Sequence, residues 1–418
     1  MHAHRPSRSS LLACAAFTLG ACATAGAPAR QATFGGQELS APLEAVAAQP
    51  ASAPALAAEP RGTKGYLALC AGLERPSLVV KRWEGDTLSA LGGAIEGGRS
   101  CVAASLRLDG AGAPVVAFED RDASGSRIEV RRWDGAAWQP VGAALNLEPA
   151  ERAEAPALAL GKEGTPWVAW QESRGDAAVV LVARHDGKAW RPVGGSLNGT
   201  PGPAGTGAPA LVIDAQGLPV VAWQDGESHT VRVSRYDGDD WRDMGKPLNE
   251  RGASTGRVPA LTVDPAGHLL AAFVQERGGE RTVPVLRWDG RAWGEVGEPL
   301  AAGGAAPAAS RPALATDRWG IPAVIFPRGG PAPALLLSRW TGDGWSDSAQ
   351  PVDAGAGTAA IPALGIIGDG TFLMGWQERA DPAPSRVLLR RGSPAPQAVA
   401  PAYRPPAEAA EGPAEEQR

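Results

Sequence analysis

The chain has 418 residues, with 40 Lys and Arg against 45 Asp and Glu and a net charge of −5. No basic excess marks a nucleic-acid surface, which excludes that partner class as the expected one. Glycine (54) and proline (38) are abundant and charged residues make up only 20%, a balance that suits a turn-rich all-β chain better than a helical one.

At the N-terminus, Arg5 and Arg8 precede a short apolar run, LLACAAFTLGA, from Leu11 to Ala21. It is too short to span a bilayer, which takes roughly 20 residues, and reads as the apolar region of a signal peptide. The run ends in Leu19-Gly20-Ala21-Cys22. This resembles a bacterial lipobox, whose cysteine is diacylated and becomes the first residue after cleavage. The resemblance implies a signal peptide over 1–21, lipidation at Cys22, and attachment to a membrane through that lipid. Ala23, rather than Asp, follows the cysteine, which implies the outer membrane of a Gram-negative envelope. The alternative is an ordinary signal peptide cut near ACA or ATA. Residues 22–31 then form the lipidated cysteine and a tether, reaching at most about 30 Å when extended.

Seven copies of one pattern follow. Its first anchor is Pro-Ala-Leu with a glycine eight residues on, at Pro54/Gly62, Pro156/Gly164, Pro209/Gly217, Pro259/Gly267, Pro312/Gly320 and Pro362/Gly370. A degenerate copy begins at Ala104 with Gly112. Fourteen residues after each start stands a mostly aromatic position: Phe118, Trp170, Trp223, Phe273, Phe326 and Trp376, with Ala68 as the exception. The second anchor is an alternating run closed by an aromatic, an Asp-Gly turn and a tryptophan, as in VRRWDGAAWQPVG from Val130. Adjacent copies start 50 to 53 residues apart. Each copy reads as four short antiparallel strands. A lone sheet of that size cannot bury both faces, so stacked copies must cover one another. The expected fold is all-β, a seven-bladed β-propeller over residues 32–392.

The seventh copy lacks a convincing fourth strand after VLLRRG (Val387 to Gly392). TFGGQELS, Thr33 to Ser40, resembles the end of a fourth strand, PVGGSLN from Pro192. The N-terminal segment is therefore expected to complete blade 7 as its outer strand and close the ring. Residues 393–418, rich in Pro, Ala and Glu, read as a disordered tail. A monomeric ring is expected.

The repeats resemble the bacterial seven-bladed propellers. They are similar to kelch repeats in period and third-strand aromatic, but have VVAWQ where kelch repeats carry Gly-Gly. VAWQD and RYDGDDW also look like the strands of fucose-binding propeller lectins. In propellers the loops after strands two and four share one face, which usually carries function, and here those loops vary most. They bring together Gln, carboxylate and Arg: Gln171, Glu172 and Arg174; Gln275, Glu276 and Arg277; Gln377, Glu378 and Arg379; with Gln224, Asp225, and Glu119, Arg121 as partial sets. Such groups can hydrogen-bond sugar hydroxyls or a partner's backbone. They can equally be strand-end polar groups that pair with each other.

Catalytic signatures are poor. The histidines beyond the signal are His185, His229 and His268, and His185 takes the place of a repeat aromatic. No HExxH pattern, nucleophile elbow, phosphate loop or calcium loop is present. Sialidase-type Ser-x-Asp-x-Gly-x-Thr-Trp boxes are absent as well. No metal or cofactor is expected. Cys70 and Cys101 fall on one face of adjacent blades by repeat register and are expected to form a disulfide. The sequence thus points to a non-catalytic envelope lipoprotein that binds or scaffolds an envelope protein. The alternative is a carbohydrate-binding, lectin-like propeller with a glycan partner; a hydrolase or lyase ranks third.

Overall fold

The structure, a computed structural model, describes residues 33–34, 37–40, 43–45 and 50–392, apart from 147–150, 176, 199–201, 204–206, 250–252, 305–309, 331–332, 347–350 and 354–356. The signal segment, Cys22, the tether and the tail lie outside the described residues.

Blade 4 shows the unit. Gly207–Ile213, Pro219–Asp225, Thr230–Tyr236 and Trp241–Asp243 pair antiparallel in chain order. The seven first strands are Ala51–Ala58, Ser100–Leu108, Arg152–Leu160, Gly207–Ile213, Thr255–Val263, Ala313–Thr316 and Thr358–Ile366. Each lies against the next, and the seventh lies against the first, so the seven-bladed ring closes around an axis. Seven apolar clusters fill the seven interfaces between blades. The wedges hold the second-strand aromatics: Phe118, Trp223, Phe273 and Trp376 are fully buried. Truncating such a ring to alanine typically costs about 3–5 kcal/mol.

The Pro-Ala-Leu signature marks a β-bulge. Proline has no N–H to give the ladder, and the register shifts at this place in five blades that carry it; blade 2, with Ala104 there, shifts as well. The residue before each proline is left-handed at Ala53, Ala155, Ala208, Val258 and Ile361, with φ of 46° to 51°. A non-glycine residue pays for that conformation, and recurrence in five blades makes it part of the design.

The outer rim is laced by the second signature. Trp190 Nε1 donates to Val141 O of the preceding blade at 3.0 Å. Trp138, Trp241, Trp293 and Trp345 make the same bond to Leu91, Val193, Met244 and Val296. Each tryptophan also packs on its strand-three partner, at ring separations of 5.2 to 5.5 Å. His185 takes part as one such partner, edge-on to Trp190.

Closure uses both chain ends, somewhat later than expected. Leu43–Glu44 pairs with Leu389 and Leu388 of the third strand, Arg386–Gly392. Leu39 bridges Gly392, and Ser40 N donates to Arg391 O at 2.9 Å. Thr33–Phe34 instead folds back on Gln37–Glu38.

Blade 1 corrects one register. Its first turn is one residue longer than in blade 4: Ala55 pairs Ala68, where Ala210 pairs Ala222. Leu69, not Ala68, therefore stands at the aromatic position, and Cys70 takes the place just after it. The Cys70–Cys101 disulfide is formed, with Cα atoms 5.4 Å apart.

Candidate functional site

In blades 1, 2 and 7 the residue just after the second-strand aromatic position faces the following blade. Glu119 accepts from the bulge N–H of Ala155 at 3.3 Å, and Gln377 Oε1 accepts from that of Ala53 at 3.3 Å. Cys70 uses the same place for its disulfide. Burial pushes the Glu119 carboxyl up, while Arg121 and the Ala155 N–H pull it back. Arg121 pairs with Glu119 and reaches Glu154 of blade 3 at 2.6 Å. Gln171 donates to Ser173 at 3.0 Å and to Glu154 at 3.4 Å. Buried Glu172 accepts from Trp170 Nε1 at 2.7 Å, and buried Glu378 holds Arg386 at 2.6 Å.

The remaining loop residues are held more locally. Asp225 accepts from Glu227 N and Ser228 N in its own turn, and Gln224 beside it is half-buried. Glu276 sits between Arg257 and Arg281, at 3.0 and 3.1 Å, with Gln275 half-buried next to it. Arg277 and Arg379 are exposed. The Arg174 side chain lies outside the described residues. These thirteen residues are distributed over blades 2, 3, 4, 5 and 7. The structure brings together Glu119, Arg121 and Gln171 around Glu154, and does not gather the rest into one site.

A different place has the shape of a site. A cavity of about 720 Å³ occupies the axis, lined by the ends of all seven first strands. It opens on the opposite face, the face of the Asp-x-x-Gly turns. At the repeat position three after each start, its wall carries Ala57, Ala159, Val212, Thr262, Ala315 and Gly365, and in blade 2 Arg107. Arg61 and Arg318 stand at the rim. Trp319 follows Arg318 at the tip of the blade 6 turn and is 54% exposed, whereas the other thirteen tryptophans are buried or half-buried. The Arg318 guanidinium lies 4.1 Å from its ring centroid, a cation–π contact that holds the indole at the rim.

The carboxylates around this mouth are engaged. Asp317 pairs with Arg339 at 2.5 Å and accepts from Trp319 N and Ile321 N. Asp264 pairs with His268 at 2.9 Å and with Arg287 at 3.4 Å. Among the described residues no group of three His, Cys, Asp or Glu side chains is placed to hold a metal ion. Sequence reasoning missed Trp319, yet it left a signal: an indole where other copies have Ala111, Glu163, Gln216 and Ala266. Nothing in a turn tip requires an apolar ring.

No family model and no curated protein matches the chain. Solved structures do resemble it. A Dyadobacter fermentans protein of unknown function is 15% identical, with a TM-score of 0.48, over 70% of this chain and 94% of that one. The Trypanosoma rangeli sialidase, in complex with the inhibitor DANA, is 15% identical with a TM-score of 0.47, over 73% of this chain and 56% of the sialidase. The Aleuria aurantia lectin, in complex with α-methyl-L-fucoside, is 16% identical with a TM-score of 0.45, over 72% and 95%. The expectation of a chain without enzymatic activity is corrected here. Sialidases stand beside lectins among the solved structures that resemble the chain.

Proposed function

We propose that this protein is a carbohydrate-binding propeller of the bacterial cell envelope, whose site is the mouth of the axial cavity on the turn face. Exposed Trp319 at the rim carries the reading. Indole offers a flat apolar surface for the C–H face of a sugar ring, at little entropic cost. Arg61, Arg107 and Arg318 supply donors for hydroxyl or acidic oxygens around a cavity of about 720 Å³ whose walls mix polar and apolar groups. Placement in the envelope rests on the lipobox at Cys22, and the oxidised Cys70–Cys101 pair suits such a compartment.

The test is a glycan array on the full chain and on Trp319→Ala. Saturable binding to one sugar class, weakened at least about tenfold in the variant at unchanged melting temperature, is the expected result. Equal binding by both proteins moves the site away from this mouth. Absence of any binding by folded protein overturns the reading. The same panel, assayed for released sugar, shows whether the bound glycan is also cleaved.

A further inference from the structure

Two arginines approach the axis from different blades: Arg107 lines the cavity, and Arg311 spans from blade 6 to the strand starts of blade 4. Arg107 projects from the wall of blade 2, at the one place among seven where the lining residue is large and charged. Its guanidinium donates to the adjacent carbonyl of Leu106 at 2.8 Å. Arg311 stands before the repeat proline of blade 6, where other blades have Ala53, Ala103, Ala155, Ala208, Val258 and Ile361. It reaches two blades away and donates to Ala208 O and Pro209 O, the bulge carbonyls of blade 4. Among the described residues neither guanidinium has a carboxylate partner. Burial and then the charge of Arg107 push Arg311 down to about 10. Burial lowers Arg107 in the same sense.

Two neighbouring like charges, neither paired with a carboxylate among the described residues, are costly; Asp264 and Asp317, which also line the cavity, are held by Arg287 and Arg339. Carbonyl contacts solvate Arg311 in part but do not neutralise it. The other blades carry neutral residues at both levels, mostly alanine, and the cavity leaves room beside Arg107. We infer that the axial bore is an anion site, in which a sulfate-like oxyanion or a carboxylate is held by Arg107 and Arg311. Planar guanidinium groups suit both anions through paired N–H donors. The site shares Arg107 with the proposed sugar site but does not require stacking on Trp319.

The experiment is calorimetric titration of the full chain at low ionic strength with sulfate, with glucuronate and with glucose, supported by melting temperatures. The variants are Arg107→Ala, which installs the residue of blades 1, 3 and 6, and Trp319→Ala. Sulfate or glucuronate is expected to bind at one site and raise the melting temperature, with glucose inert. Arg107→Ala weakens that binding at least about tenfold, while Trp319→Ala leaves sulfate binding unchanged even where glycan binding is lost. Sulfate alone identifies a free inorganic anion as occupant; glucuronate at least about tenfold tighter than sulfate identifies an acid carried on a sugar. Either result supports the site. No saturable binding of either anion by folded wild-type protein overturns it, and so does binding undiminished in Arg107→Ala.

Discussion

A single glycine and a single tryptophan explain the second repeat signature. Gly194 follows the fourth strand of blade 3, Trp190–Pro192, with φ of +65°, and a Cβ there would stand 2.8 Å from Trp241 of blade 4. Trp241 in turn donates to Val193 O. The glycine is thus required both by its own backbone and by the neighbour's indole. Gly217, with φ of +83°, has nothing within 4 Å of a built Cβ. Both alanine variants carry backbone strain of about 1–2 kcal/mol. Gly194→Ala also displaces Trp241 and frees the Val193 carbonyl, adding about 1–2 kcal/mol. Urea unfolding of the two variants checks this; equal losses would remove the interlock from the account. The sequence displayed glycine and tryptophan in one copy, whereas the contact is made between copies. The same limit hid the role of Glu119 and Gln377, whose partners are bulge N–H groups one blade on.

Strands in this fold were legible because alternation and turn residues are local signals. Bulges were not. The Pro-Ala-Leu string was visible seven times, one copy degenerate, yet its left-handed preceding residue is Ala, Val or Ile, types that carry no mark of positive φ. Register was fragile where a turn changed length, as Ala68 and Leu69 show. The outer strand of blade 7 was legible in kind and displaced in position, because its best sequence match, Thr33 to Ser40, overlaps the pairing only at Leu39 and Ser40. The strand matters as an element: it covers the edge Arg386–Gly392 and buries Leu39 and Ala45. A chain beginning at residue 46 is expected to unfold at lower urea and to self-associate through that edge. Size-exclusion chromatography and denaturation decide it; a monomer as stable as the full chain counts against the closing role.

At the scale of the whole molecule, the axial site could not be read from any one stretch. Seven strands each contribute a few wall atoms, and only the ring shows that Arg107, Arg311 and Trp319 belong to one axis. The disulfide was readable because Cys70 and Cys101 are the two cysteines within the repeats and fall on adjacent blades, although the repeat register of blade 1 was off by one residue. It spans 31 residues, for which loop-closure entropy gives about 3–4 kcal/mol. Replacing both cysteines by alanine should lower the unfolding free energy by an amount of that order, measured in urea; no change would mean the blades are held by packing alone.

The clasp in blade 7 also sets an order of events. Ser40 and Arg391, which hydrogen-bond to each other, lie 351 residues apart. At a synthesis rate of roughly 5–20 residues per second, the first of them waits roughly 20 to 70 seconds for the second. Through that interval the opening segment has no partner, blades 1 to 6 can stack one on the next, and the ring stays an open arc. Its axis becomes a bore, and its arginines become neighbours, only when the last strand arrives.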